Sequence, residues 1–595
     1  MNCIDCFRAL VMTGLFFLPT LASGQTDTVS FATLTIHFTK VDTQAIGWNE
    51  PSLLHAYNWP EGSLPIGNLG GREISLNGPG LYNIGFRSML FSEVKTADTG
   101  FYMIARKPYS EIRYFLGMGA EQNLRLIHTQ RVRPNFYLSA VYQKINTAGF
   151  YQRQGLDKDH LIAAGHFIPP TGRYRAHGNL QYIRSKRQLN GGISSDSAFE
   201  DIGFGNKELL TVNLSEATAQ YAVVDGRFDH SFQFWERDTL GHGLGLFHEF
   251  RYQHQVRTHY DKGAGTDGFY TVLNLGQNES FERVQLDTWT NQGGIEWRCH
   301  YAKARVGWIH QWQSYEAPGR GLNAQQQGLR IDAKGGVDRL MIRANWGMNI
   351  FGYSAGNRFI DGYVDWDDSS YAVSASVHCR NVSPAIELQS VSFNNFSWGN
   401  QFVEEGHLRL TLGGEWKPSH TRLNVRFDQY ENLIYFDTSW TPQQEGQYVQ
   451  MVSGTIRQGW KGKSIFGHVE LTGQYTGDET VVPVPGFIGK FRLGWKVNLF
   501  KKNLMTLMGI EGFYVSAWNA PGYIPAIDQF YVQPEQVGGF PYLTAFINAR
   551  ITEVEVFLKV SNFNAGLLGN NYYAAYLYPM NDLSVVGGIR WQFTN

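Results

Sequence analysis

The sequence predicts an all-β chain: a transmembrane antiparallel β-barrel of about 20 strands, an even number between roughly 16 and 22, with short periplasmic turns and long extracellular loops. Three observations predict it. Apolar and polar residues alternate with a period of two along most of the chain, tight and long connections alternate between those segments, and Ser584 to Thr594 forms an amphipathic closing strand. In a strand, successive side chains point to opposite faces, so such a chain has one apolar and one polar side throughout.

Composition narrows the class before any element is placed. The 595 residues are only 17% charged and 14% aromatic, with 65 glycines, which is too aromatic for disorder. A net charge of −1 and the lack of a basic run exclude nucleic acid as a partner. Mean hydropathy is −0.30, and past the first 21 residues no apolar run reaches the roughly 18–20 residues of a spanning helix. A barrel escapes that test because its apolar residues alternate with polar ones.

Met1 to Gly24 reads as a secretory signal: Arg8 opens it, Ala9 to Leu18 is the apolar stretch, and Ala22-Ser23-Gly24 supplies the small residues before cleavage. Residues 25–107 differ in character, with Pro51, Pro60 and Pro65 in an irregular run and a short strand at Arg72 to Leu76. This segment is periplasmic, enters the lumen, or supplies the first barrel strands, and it is too short for the plug domain of an energy-coupled transporter. Residues 108–595 are the barrel. There Arg173, Arg175, His177, Asn179 and Gln181 alternate with Tyr174, Ala176, Gly178, Leu180 and Tyr182. Likewise His407, Arg409, Thr411 and Glu415 oppose Leu408, Leu410, Leu412 and Trp416, and the pattern returns at Ile465–Tyr475, Lys490–Leu499 and Glu553–Val560.

Tight links at Arg550-Ile551, Phe500–Asn503, Gly459–Lys463, Lys417–His420 and Asn381–Pro384 alternate with long ones at Asn564–Leu583, Asn519–Phe540, Gly477–Gly486, Leu433–Gly446 and Asn394–Glu405. Before about residue 340 that alternation blurs. In the closing strand Val585, Ile589, Trp591 and Phe593 are expected to face lipid, with Arg590 and Gln592 facing inward. The Gly588-x-x-Trp591-x-Phe593 spacing resembles the terminal signal read by the barrel-assembly machinery, with Val586 standing where that signal often has a polar residue.

The polar faces carry Arg173, Arg175, Arg339, Arg343, Arg409, Glu415, Glu470, Lys490, Arg492, Lys496, Glu553, Glu555, Lys559 and Arg590. In a solid core such a set would have to be fully paired. A water-filled lumen removes that demand, so these residues are expected to line a wet channel whose basic excess gives a mild anion preference; the alternative is a plugged interior with the charges in ion pairs. The sequence points to no catalytic, metal-binding or cofactor-binding residue. Gly241-His242-Gly243-Leu244-Gly245 leads into a strand rather than a helix, so it is no phosphate loop. Asp361, Asp365, Asp367 and Asp368 lack the spacing of a calcium loop and read as solvated loop carboxylates.

The chain also resembles the putative porin family of Bacteroidota outer membranes. The resemblance rests on Ile66-Gly67-Asn68-Leu69-Gly70, His128-Thr129-Gln130 and Ser392 to Phe402, then Ile434-Tyr435-Phe436-Asp437, Tyr523-Ile524-Pro525, Gly538-Gly539-Phe540-Pro541, Tyr572-Tyr573 and Gly588 to Phe593. It implies an outer-membrane channel, not an enzyme, through which small hydrophilic solutes diffuse passively with the lipid bilayer as surroundings. The alternative is a plugged structural barrel that partners a secretion or surface-attachment complex.

Overall fold

The structure is a computed structural model that describes residues 30–31, 34–41, 62–67, 71–81, 85–91, 100–105, 107–169, 173–201, 207–237, 242–276, 278–500 and 504–594. The expected signal peptide lies outside the described residues.

Twenty-two antiparallel strands close into one barrel. The first, Tyr109–Gly117, pairs with the last, Ser584–Thr594, setting Arg113 opposite Arg590 and Ile112 opposite Trp591. Closure pairs the backbone donors and acceptors that an open sheet edge would leave bare in lipid. Strand count falls within the expected even range, and the period-two pattern explains why the wall forms: strands turn a largely polar face inward and an apolar one outward. In Tyr174–Leu189 the buried residues include His177, Asn179, Gln181, Ser185 and Arg187, whereas Leu180 is 54% and Tyr182 41% exposed. That is the inverse of a water-soluble sheet and fits a wall with lipid outside.

Connections at one end are all brief, among them 134–135, 299–301, 338–339, 368–370, 417–420 and 552–553. The other end carries 190–216, 262–279, 383–404, 432–448, 516–540 and 562–583. It also carries tight links at 118–120, 318–319 and 353–357, which is why connection lengths lose their alternation in the first half of the sequence. Two expected turns are corrected. Residues 381–384 are not a tight turn but the start of the 383–404 connection, which holds the short helix Ile386–Gln389 and the hairpin Ser390–Ser392 with Ser397–Gly399. Arg550 and Ile551 belong to strand Pro541–Ile551, and the turn follows at 552–553.

At about 4.8 Å between neighbours and a tilt near 40°, 22 strands enclose a ring on the order of 40 Å across, too wide to be filled by wall side chains alone. Two sets of residues outside the barrel strands occupy it. Leu64, Ile66, Ile74 and Leu76 join one apolar cluster with Phe513, Trp518, Tyr542 and Tyr572, and Leu90 and Phe91 join a second with Tyr221, Tyr270, Ile386, Phe396 and Ile527. The partners come from strands and loops far apart around the ring, so the segment that touches them all runs through the interior. Strands Leu34–Val41 and Gly100–Ala105 pair in parallel with each other and stand apart from the closed barrel. Met103 packs with Ile127, Val141 and Ile162 of the wall.

Candidate functional site

The interior of the long-loop end holds the two large apolar and aromatic clusters, and it is built from three parts: the segment 62–91, the loops, and the inner face of the wall. Among its described residues, segment 62–91 has no sheet of its own beyond the hairpin Ser63–Pro65 with Glu73–Ser75. Its backbone carbonyls therefore need donors from elsewhere. Wall side chains supply them: Arg426 donates to Asn77 at 3.0 Å, Arg409 and Tyr430 to Pro79 at 3.2 Å, and Gln474 to Leu76 at 2.7 Å.

Loops grip the same segment at two ties. In the first, Arg72 meets Asp528 of loop 516–540 at 3.4 Å and lies over the Phe530 ring. Asp528 has no exposed side-chain surface and also accepts from the hydroxyls of Tyr523 at 2.6 Å and Tyr221 at 3.0 Å. Arg257 reaches Tyr221, Pro525 and Ala526 from the wall, so the loop, anchored between strands Leu504–Val515 and Pro541–Ile551, crosses to nearly the opposite side of the ring. In the second tie Glu387 accepts from the Ser88 hydroxyl and from the Met89 amide at 2.9 Å, while Arg87 meets Glu405 at 3.1 Å. Glu387 lies on a loop outside the spanning strands, and burial pushes its carboxyl above the usual range against the opposing pull of these donors. A third contact joins loop to loop: Lys207, 2% exposed, donates to Asn570 and Tyr572 and sits over the Phe199 and Tyr572 rings.

The fourteen charged residues singled out from the sequence are placed as follows. Arg409 meets Asp428 at 2.7 Å, Arg492 meets Glu511 at 2.6 Å, and Lys559 meets the same Glu511 at 2.8 Å. Arg590 bridges Glu111 at 2.8 Å and Glu555 at 3.4 Å, and Glu470 meets Lys490 at 3.4 Å. Arg343 pairs with Asp365 at 2.8 Å and Glu415 with Arg422 at 3.1 Å, both more exposed. Lys496 lies over the Phe466 ring. Arg175 is half-buried near His177 and Lys303. Arg173, Arg339 and Glu553 stand at the short-turn end, Arg173 and Glu553 exposed and Arg339 paired with Asp368.

Most of these charges are paired, with acidic partners outside the set singled out from the sequence. Asp225, Asp428, Glu111, Glu249, Glu296 and Glu511 sit at the centres of the networks; Asp225, for one, accepts from Arg227, Arg251 and Gln253. The signal for them was present in the same alternation, as in Asp225-Gly226-Arg227-Phe228-Asp229. Asp361, Asp365 and Asp367 are corrected too: they lie on strand Arg358–Asp367, not on a loop. With Asp368 they are matched to Arg380, Arg343, Lys417 and Arg339. Among the described residues no cluster of His, Cys, Asp and Glu could hold a metal ion.

Several of the motifs that carry the family resemblance lie in this same interior, whereas His128-Thr129-Gln130 and Gly588–Phe593 lie on wall strands towards the short-turn end. Phe393, Asn394 and Phe396 are buried, and Asn394 donates to Ser280 at 2.8 Å. Ile524 is fully buried in the crossing loop, Tyr572 and Tyr573 lie in the first apolar cluster, and Thr129 donates to the Met103 carbonyl. Val586, the departure in the closing strand, packs inward with Phe115 and Phe557, which explains an apolar residue at a polar-facing position.

A family model described as putative porin matches residues 33–595. No curated protein matches the chain. Among solved structures the fold is similar to the FrpB iron transporter from Neisseria meningitidis, at 10% identity and a TM-score of 0.59 over 82% of this chain and 83% of that one. It is also similar to a mutant of the ferric enterobactin receptor PfeA from Pseudomonas aeruginosa, at 11% identity and 0.59 over 83% and 82%. For the siderophore receptor PirA from Acinetobacter baumannii the values are 9% identity and 0.56 over 84% and 83%. At these identities the likeness is one of fold.

Proposed function

The chain belongs to the putative porin family, and from that premise we propose that it is a plugged transport barrel of the outer membrane rather than an open diffusion pore. Small hydrophilic solutes pass when segment 62–91 gives way. One observation carries this reading: the segment is held inside the ring by apolar burial, by wall donors to its carbonyls and by two ties to the loops. A ring of this width without contents would be a hole far larger than a selective porin needs. The polar faces with their paired charges line the route, and solutes move along them by width and charge, not by covalent chemistry. Short turns face the periplasm, long loops the exterior, and the C-terminal strand addresses the chain to the assembly machinery. The fold likeness to an iron transporter and to siderophore receptors supports a transport role that is gated and not enzymatic.

Conductance tests the proposal. The mature chain in planar bilayers is expected to sit closed or nearly so, and a chain lacking residues 25–107 is expected to show large, stable steps. Large steps from the intact chain at low voltage refute the plug. A second reading, a structural barrel that docks a partner, is favoured by one observation: Leu209, Leu567 and Leu568 are 64%, 75% and 63% exposed at the long-loop end. Silence from both chains, each verified as folded, selects that reading.

A further inference from the structure

The outer face of strand Glu405–Trp416 is what lipid asks for: above Trp416 its outward positions are Gly414, Leu412, Leu410 and Leu408. The strands from Phe136–Thr147 to Ala302–Ala317 depart from this. Asn291 points outward six positions above Trp297, about 15 Å at roughly 3.3 Å per residue and a tilt near 40°, which is midway up an apolar band about 25 Å tall. His248 lies 3.4 Å from the Asn291 Oδ1 and 3.3 Å from His230, and His310 stands opposite Asn291 on the next strand. Beside this stripe Lys144 pairs with Asp157 and, at 3.1 Å, with Asp159, while Arg184 stands opposite Asp159 and Lys186 opposite Asp157. Polar groups at such depth are costly against lipid and mark a contact with something else. We infer that this outward face is an interface with a second copy of the chain, packed about a two-fold axis along the membrane normal beside strands Ala217–Arg237 and His242–Asp261. It concerns the outer surface and holds whether the lumen is plugged or open.

Charge complementarity selects a second copy. The outward charges are of mixed sign, which suits a copy of the same face and not an anionic glycolipid headgroup. A two-fold axis there sets strand Tyr174–Leu189 of one copy against Ser280–Arg298 of the other, and Leu156–Phe167 against Ala302–Ala317. Depth along these strands follows from the register. The row that starts at Trp591 reaches Asp287 eight strands on, whereas Trp297 lies ten positions nearer the short turns. With both tryptophans in the short-turn girdle, a level line therefore drops about one residue per strand, as a tilted barrel requires. That line places Asp287 between the levels of Arg184 and Lys186, and His310 level with Asp159. Asp287, held in place by Tyr252, His254 and Gln285, thus faces two cations of the other copy. Shape agrees. A Cβ built on Gly178, Gly226 or Gly293 would meet nothing closer than 3.8 Å within the chain, so the fold itself does not call for glycine there, whereas close approach of a second wall does.

The test uses the refolded, full-length mature chain. Light scattering in detergent micelles is expected to give two chains per particle, and reversing both cations (Arg184→Glu with Lys186→Glu) to weaken dimerisation about tenfold or more, the size of one lost charge-assisted contact. Oxidative cross-linking in lipid vesicles reads the face, in a chain whose Cys299 and Cys379 are replaced by alanine. Gly226→Cys, close to the axis, is expected to give a dimer band, and Leu410→Cys, well round the ring, only the background of random collisions. A monomer at every concentration, equal cross-linking of the two variants, or a charge-reversed chain that dimerises like wild type overturns the inference. So does a particle mass accounted for by one chain with bound glycolipid. Should the charge-reversed chain fail to fold, the cross-linking pair decides alone.

Discussion

Replacing Arg72 with alanine cuts the tie between the plug and the crossing loop and leaves the Asp528 carboxylate buried. Removing one partner of a buried ion pair typically costs about 3–5 kcal/mol. Here the cost is smaller for two reasons. The Arg72 side chain keeps 22% of its surface exposed and meets Asp528 only at 3.4 Å. Asp528 also retains the Tyr523 and Tyr221 hydroxyls at 2.6 and 3.0 Å. About 1–2 kcal/mol is then lost from the hold on segment 62–91, a size expected for one hydrogen-bonded charged contact. That corresponds to a factor of about 5–30 in the ratio of released to seated segment. The assay is the open probability of single barrels in planar bilayers at fixed voltage. Asp528→Asn supplies the other edge of a double-mutant cycle, and the double variant is expected to open hardly more than Arg72→Ala alone. An open probability within about twofold of wild type, or fully additive effects, refutes the tie.

Three further outcomes follow from other parts of the molecule. Glu387 holds its proton more tightly folded than unfolded because burial raises its carboxyl. Its stabilising contribution is therefore full below the ordinary carboxylate value and lost as pH rises through the raised one. Melting of the refolded barrel should fall over that window in wild type and less in Glu387→Gln; identical slopes would count against it. At the seam, Glu111→Ala strips the carboxylate shared by Arg590, Arg113 and the Tyr109 hydroxyl, at a cost of about 3–5 kcal/mol; the heat-modifiable folded band on a gel should weaken, and an unchanged band contradicts a closing role. On the outer face, Leu410→Arg near the middle of strand Glu405–Trp416 places a charge where lipid is expected, at about 2–4 kcal/mol; reversible folding into vesicles should lose that much, and a neutral result means the face is not lipid-exposed.

The wall was legible in the sequence because its information is local. Leu180 and Tyr182 against Asn179 and Gln181 state both the strand and its two faces within four residues. Turn positions were less so. Asn381–Pro384 carries the composition of a tight turn yet opens a connection that runs to residue 404, and what separates the two is whether the chain after it finds a strand partner or an interior to fill. The acidic centres of the ion networks share the alternation with their basic partners, but only register decides that Arg409 and Arg426 meet at Asp428 rather than elsewhere. Residues 25–107 read from the sequence as too short for the plug domain of an energy-coupled transporter, and whether they enter the lumen is not written in them alone. The loops complete the filling, and their contribution, Ile524 and Ile527 beside Leu90, joins residues more than four hundred positions apart.

By itself the sequence determined the class, the membrane and the outer surface. A period of two is set by backbone geometry and lipid demands apolar side chains, so both are written residue by residue. Only the tertiary structure decided what fills the barrel. Arg72, read alone, opens a short strand; with Asp528, Tyr523 and Tyr221 around it, it ties segment 62–91 to loop 516–540. Such contacts depend on closing a ring of 22 strands and folding loops across it, and no local pattern encodes a distance that closure alone creates.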